Sequence, residues 1–185
     1  IMLALSYDEE VGCLGAPALI EAMQGVVPRP SAVIVGEPTS MKVVSGHKSV
    51  RGFRVEVIGR EAHSSLPDDG VSAVAEALKL MNLVTEMARE ARAHADARSH
   101  FSPPGPTMTI GRVEGGTAMN IIARRCEFVW DLRCPPGVDP DPIEARFRAA
   151  AEALDSEIKR RAPEGGVTVT RRSNNPPLTP DPGSA

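Results

Sequence analysis

The feature that most constrains this chain is a change of hydrophobic period that occurs twice between residues 49 and 172. Phe53, Val55 and Val57 alternate with Arg54 and Glu56, the two-residue period of a strand buried on one face. Val71, Val74, Leu78, Met81, Val84, Met87 and Ala91 then recur at three- and four-residue steps, which predicts a long amphipathic helix over residues 70–95. The period returns to two at residues 107–113, with Met108 and Ile110 on one face. It persists at Cys126, Phe128, Trp130 and Leu132, which alternate with Arg125, Glu127, Asp131 and Arg133. Residues 140–161 read as a second helix, opened by Pro140, whose missing N–H costs little there. Its apolar stripe is Ile143, Phe147, Ala150, Ala151, Leu154 and Ile158, and a last strand follows at residues 167–170. The order is β-α-β-β-α-β, the ferredoxin-like arrangement, with two helices on one face of a four-stranded antiparallel sheet. The Pro- and Ser-rich stretch 96–106 between the first helix and the second strand reads as a mobile loop.

The first 46 residues follow a different grammar. Residues 1–7 and 32–35 are continuous apolar runs, separated by a short helical pattern at residues 15–24 and the prolines of residues 26–30. Continuous apolar strands around a helix point to a parallel sheet covered on both faces. The fold class expected for the whole is therefore α/β (α+β): part of a parallel sheet in residues 1–46, then a ferredoxin-like unit in residues 47–173. A Pro-rich connector follows over residues 174–185. An apolar run at one end and a connector at the other carry the expectation that this is a fragment of a larger protein.

Charge and cysteine usage narrow the functional classes. A net charge of −3 provides no basic field for nucleic acid. No apolar run approaches the ~20 residues that span a bilayer, and no basic-then-apolar leader opens the chain. Cys13, Cys126 and Cys134 are too scattered for a disulfide framework or a metal knuckle. They read as three buried thiols in a reducing cytoplasm.

Several polar residues stand where chemistry is done. Asp8, Glu9 and Glu10 follow the first apolar run, and Glu37, in Gly36-Glu37-Pro38-Thr39, follows the second. The carboxyl ends of parallel strands are where ligands bind in open α/β sheets. Adjacent carboxylates there can divide the work, one binding a metal and the other moving a proton. They can equally be an acidic helix start and an ordinary turn. His63, in Ala62-His63-Ser64-Ser65, is either a solvated loop histidine or an acid, ligand or oxyanion donor. Asn120 follows the flexible Gly115-Gly116, and we read it together with Arg133, whose guanidinium can fork onto a carboxylate. For Arg133 the alternative is a cross-strand ion pair with Glu56 or Glu127.

In order along the chain, Leu5-Ser6-Tyr7-Asp8-Glu9-Glu10-Val11-Gly12-Cys13, Val35-Gly36-Glu37-Pro38-Thr39, Gly46-His47-Lys48, Ala62-His63-Ser64-Ser65 and Gly115-Gly116 with Asn120 resemble the zinc aminoacylase and deacetylase superfamily. That group includes acetylornithine deacetylases, succinyl-diaminopimelate desuccinylases and glutamate carboxypeptidases, and the first string looks most like the acetylornithine deacetylases. The resemblance implies that residues 1–46 belong to a catalytic domain and residues 47–173 to a lid that forms a homodimer, with residues 174–185 leading back. It implies two zinc ions per active site, with cobalt a possible substitute, and a small N-acylated amino acid as substrate. By the same resemblance Glu9 is the general base, Glu10 binds one ion and Glu37 the other. His63 reaches into the neighbouring subunit to hold the oxyanion, and Asn120 and Arg133 grip the substrate carboxylate. The family's remaining ligands have no counterpart here, so the chain alone is expected to be inactive. Ser49 after Lys48, and Ile121-Ile122-Ala123, depart from the family pattern. Two alternatives stand beside N-acetyl-L-ornithine deacetylation: a related N-acyl-amino-acid or succinyl-diaminopimelate hydrolase, and a non-catalytic dimerisation module.

Overall fold

The structure is a computed structural model that describes residues 1–10 and 12–179. Val11 of the first acidic motif and residues 180–185 of the connector lie outside the described residues. A short helix, α1 (Gly15–Met23), is followed by β1 (Val50–Ile58), α2 (Ala73–Ala93), β2 (Thr107–Gly115), β3 (Arg125–Arg133), α3 (Asp141–Arg161) and β4 (Gly166–Asn175). The four strands form one antiparallel sheet in the order β2-β3-β1-β4, the ferredoxin-like topology expected from the two period changes.

The core forms where the periods meet. Phe53, Val55 and Val57 of β1 and Cys126, Phe128, Trp130 and Leu132 of β3 are all essentially buried. They face Leu80, Val84 and Met87 of α2 and Phe147, Ala151, Leu154 and Ile158 of α3. Trp130 stacks on Phe53 with ring centroids 4.5 Å apart and meets Phe147 at 4.6 Å, within the range of favourable aromatic packing. The opposite face of the sheet is polar, with Arg54 2.7 Å from Glu127 and Arg125 2.7 Å from Glu56. The central strands β1 and β3 thus divide their residues between oil and water by the pleat alone.

Ionic clusters stitch the helices to the sheet and to each other. Glu144 of α3 accepts from Arg51 at 2.9 Å, Arg148 at 2.8 Å and Arg171 at 3.3 Å. Burial pushes its carboxyl upward, but Arg148 and Arg171 outweigh burial and hold it below the ordinary value. Glu76 of α2 meets Lys79 at 2.6 Å and Arg161 of α3 at 2.8 Å.

The structure departs from the sequence reading at several points. Helix α2 turns Ala73, Ala77 and Leu80 to the core and leaves the expected Val74 and Leu78 exposed. The runs at residues 1–7 and 32–35 form no strand and join no sheet, and Leu3, Leu5, Val33, Ile34 and Val35 are exposed. A parallel strand exists only against neighbours, and none of the described residues supplies them. The loop at residues 96–106 is tied rather than free, because Lys48 Nζ donates to the carbonyls of Pro103 at 2.7 Å and Gly105 at 2.8 Å. Of the thiols, Cys126 and Cys134 are buried, whereas Cys13 is half-buried on the α1 turn. No described helix is long and apolar enough to cross a membrane.

The unit is entered and left at one point. His47 N donates to Leu178 O at 3.1 Å and Leu178 N donates to His47 O at 3.0 Å.

Candidate active site

His63 owes its place to the end of β1. After Ile58 the chain passes Gly59, where an added Cβ would lie 1.9 Å from Val71 O; only glycine permits so close a backbone approach. Arg60 and Val71 then exchange hydrogen bonds at 2.9 Å, closing a loop over residues 61–70. Ser72 caps α2 behind it, its Oγ accepting from Ala75 N at 3.3 Å.

The 61–66 turn is pinned to the segment that precedes β3. Ser64 N donates to Asn120 O at 2.9 Å, Ile122 N donates to Ala62 O at 2.8 Å, and His63 pairs with Ile121. Because β1 and β3 are antiparallel neighbours, the chain leaving one lies beside the chain entering the other. His63 and Asn120 therefore share one rim of the sheet, both exposed. The His63 ring is held at Nδ1, which lies 2.7 Å from Ser65 Oγ and accepts from Ser65 N at 3.2 Å.

Arg133 is elsewhere. It closes β3 at the opposite end, eight residue steps from Arg125, or about 26 Å along a strand. Its Nε donates to Asp131 Oδ2 at 2.7 Å, along its own strand rather than across to Glu56 or Glu127. One protomer thus does not bring Asn120 and Arg133 together. Near Arg133 lie Lys48 and Cys134. Burial lowers the Lys48 pKa, Cys134 partly restores it, and Arg133 lowers it further. Burial pushes the Cys134 thiol up to about 11, so this cysteine is inert packing rather than a nucleophile.

The three acidic candidates sit on exposed turns. Glu9 O accepts from Gly12 N at 3.0 Å and Cys13 N at 3.1 Å. Glu37 lies in a tight turn, with its N donating to Val35 O at 3.1 Å and its O accepting from Thr39 N at 2.8 Å. Glu10 is likewise exposed. Among the described residues no group of three or more His, Cys, Asp or Glu side chains gathers to hold a metal ion. A catalytic zinc takes about three protein ligands, so Glu10 and Glu37 do not form a metal cage within the described part of this chain.

Sequence reasoning passed over two residues. Lys48 secures the 102–106 loop, and its place beside the prolines was not visible without the fold. Ser65 grips His63, and its spacing of two from the histidine was the available signal.

Comparison with known proteins bears on the whole chain. Residues 45–159 match the peptidase dimerisation domain of the M20 family. Acetylornithine deacetylase of Myxococcus xanthus is 36% identical over 173 residues, 92% of this chain and 43% of that protein. Acetylornithine deacetylase of Pasteurella multocida is 35% identical over 141 residues, 75% of this chain and 35% of that protein. The chain therefore spans about two-fifths of the length of the curated relatives it matches. Among solved structures, the aminopeptidase PepT of Bacillus cereus superposes with a TM-score of 0.54 at 23% identity, covering 76% of this chain and 33% of that one. This likeness concerns the fold. By its dimerisation domain and the fold that houses it, this chain belongs to the M20 peptidase family.

Proposed function

We propose that this chain is part of a zinc-dependent amidohydrolase that converts N-acetyl-L-ornithine to L-ornithine and acetate, a step of arginine biosynthesis in the cytoplasm. The observation that carries the reading is the extent of the likeness to acetylornithine deacetylase, 36% identity over 92% of the chain. It is too long to be confined to residues 45–159 and takes in most of the segment before them.

In this reading residues 1–46 belong to the catalytic domain and residues 47–173 are the lid through which two copies associate. Glu9 moves the proton of the attacking water, and Glu10 and Glu37 each contribute one carboxylate toward an ion, zinc or cobalt. His63 donates a hydrogen bond to the oxyanion in the partner's site, where charge develops in the transition state. Asn120 and Arg133 hold the substrate carboxylate. Asn120 lies before β3 and Arg133 at its far end, which fits this role if the two residues at one site come from different protomers, as the resemblance implies for His63.

The test uses the longer polypeptide that carries this chain. His63→Ala is expected to lower kcat on N-acetyl-L-ornithine about 10²–10³-fold, the usual cost of a lost oxyanion donor, with the dimer intact by light scattering. The 185-residue chain alone is expected to bind fewer than two zinc ions and to show no turnover. Unchanged kcat in His63→Ala would remove the histidine from the reaction. Faster turnover of N-succinyl-L,L-diaminopimelate than of N-acetyl-L-ornithine would replace the substrate.

A further inference from the structure

Three histidines in this structure have their Nδ1 atoms engaged, and they fall into two kinds. His47 Nδ1 lies 2.9 Å from Lys48 O and His94 Nδ1 lies 2.8 Å from Glu90 O. A carbonyl only accepts, so both rings carry a proton on Nδ1, and in the neutral ring Nε2 is then the bare nitrogen. His63 is the reverse. Its Nδ1 accepts from the backbone N–H of Ser65 at 3.2 Å, and a backbone N–H only donates. The lone pair is therefore on Nδ1, and the hydroxyl of Ser65, 2.7 Å away, donates to the same atom. The neutral ring must then carry its proton on Nε2.

We propose that Ser65 is a positioning residue that sets the tautomer of His63, so that the ring turns an Nε2–H donor outward from the rim it shares with Asn120. The grip spans two residues on a turn whose backbone is itself anchored, by Ser64 N on Asn120 O at 2.9 Å and Leu66 N on His63 O at 2.9 Å. Ring orientation and proton position are thus fixed before any ligand arrives. A histidine that must stabilise negative oxygen needs a donor at its free nitrogen, and the second contact of an imidazole decides which nitrogen that is. The consequence for turnover rests on the reading of His63 as an oxyanion donor; the tautomer does not.

The test reads the tautomer directly. In the 15N-labelled 185-residue chain at alkaline pH, two-bond 1H–15N correlations separate a protonated ring nitrogen from a bare one, with His63→Gln identifying the signal. Wild-type His63 is expected to show a bare Nδ1 and a protonated Nε2, with His47 and His94 the opposite. Ser65→Thr keeps both donors and should preserve the pattern. Ser65→Asp puts an acceptor in place of the hydroxyl at 2.7 Å, a closer contact than the 3.2 Å backbone N–H, and should move the proton to Nδ1 at the expense of that backbone bond. A protonated Nδ1 in the wild-type chain, or a bare one in Ser65→Asp, would overturn the proposal. In the longer enzyme Ser65→Asp should lower kcat about 10–100-fold, the cost typical of losing a histidine-orienting partner, with KM little changed and Ser65→Thr near wild type. If the proton moves in Ser65→Asp while kcat holds, Ser65 still sets the tautomer, and it is the oxyanion role of His63 that falls.

Discussion

Residues 1–45 hold continuous apolar runs and residues 47–178 apolar residues at regular intervals, yet it is the second segment that is wrapped around itself and the first that lies open. In the second, Val55, Phe128 and Phe147 are fully buried, and every strand has a ladder partner. In the first, Ile34 is 95% exposed and Val43 is likewise 95% exposed, and α1 is the single regular element among the described residues. The difference teaches that a helix is a property of a segment whereas a strand is a relation between segments. Hydrogen bonds of a helix close locally; those of a sheet need a neighbour.

Substitutions can break this comparison or sharpen it. Phe128→Ala, at a fully buried ring, should cost about 3–5 kcal/mol in urea unfolding. Ile34→Ala should stay within about 0.5 kcal/mol; a cost near that of Phe128→Ala would mean that the first segment is packed after all. Glu144→Ala removes one of the two carboxylates on Arg51 and should cost about 2 kcal/mol, below the usual range for a broken buried pair, because Asp141 stays 2.6 Å from Arg51 and Arg148 and Arg171 keep water contact.

The same carboxylate sets an acid limit. Its folded pKa lies below the ordinary 4.5, so the unfolded chain takes up the proton first. The stabilisation is complete above pH 4.5 and drains as pH falls through the folded value. Glu164, held at about 2 by its hydrogen bonds from Arg60, adds little to this window, because water screens an exposed pair. Urea midpoints measured from neutral pH to pH 3 should fall, with a shallower decline in Glu144→Gln; an equal slope in both proteins would remove Glu144 from the account.

Glycines give a smaller contrast. Gly59→Ala forces a Cβ onto Val71 O and should cost about 1–3 kcal/mol, whereas Gly36→Ala meets nothing within 4 Å and should be nearly silent. Thermal melts of the two variants make the comparison. Lys48→Met frees the carbonyls of Pro103 and Gly105 and should cost about 1 kcal/mol. Limited proteolysis should then cut first within residues 96–106; unchanged resistance would mean that the loop holds without the ammonium.

Much of the ferredoxin-like unit was legible because its evidence is local. Alternation at Phe53–Val55–Val57 and at Cys126–Phe128–Trp130–Leu132 predicted the buried face, and the stripe of α3 matched it; α2 shares only Val84 and Met87 with its expected stripe among its buried residues, packing instead through Ala73, Ala77 and Leu80. Register was less legible: the irregularities between Gly52 and Phe53 and between Ile110 and Arg112 leave no mark in the period. The candidate site was legible residue by residue but not as an arrangement. Asn120 was grouped with Arg133 because both suit a carboxylate, although the antiparallel pairing of β1 with β3 sets Asn120 beside His63 and sends Arg133 to the far end. The acidic turns were expected to meet at one sheet edge, but among the described residues no group of three or more metal-binding side chains gathers, since nothing in one segment encodes the distance to another.

The reciprocal bonds between His47 and Leu178 make the ferredoxin-like unit a closed pendant, with its two leads about 5.5 Å apart as in any such residue pair. A module hung on so narrow a neck can be lifted out or transplanted without stretching its host, because the gap it leaves is one strand spacing wide. Any pivoting about that neck would carry His63 and Asn120 as a single body, riding on the same pair of fastened turns.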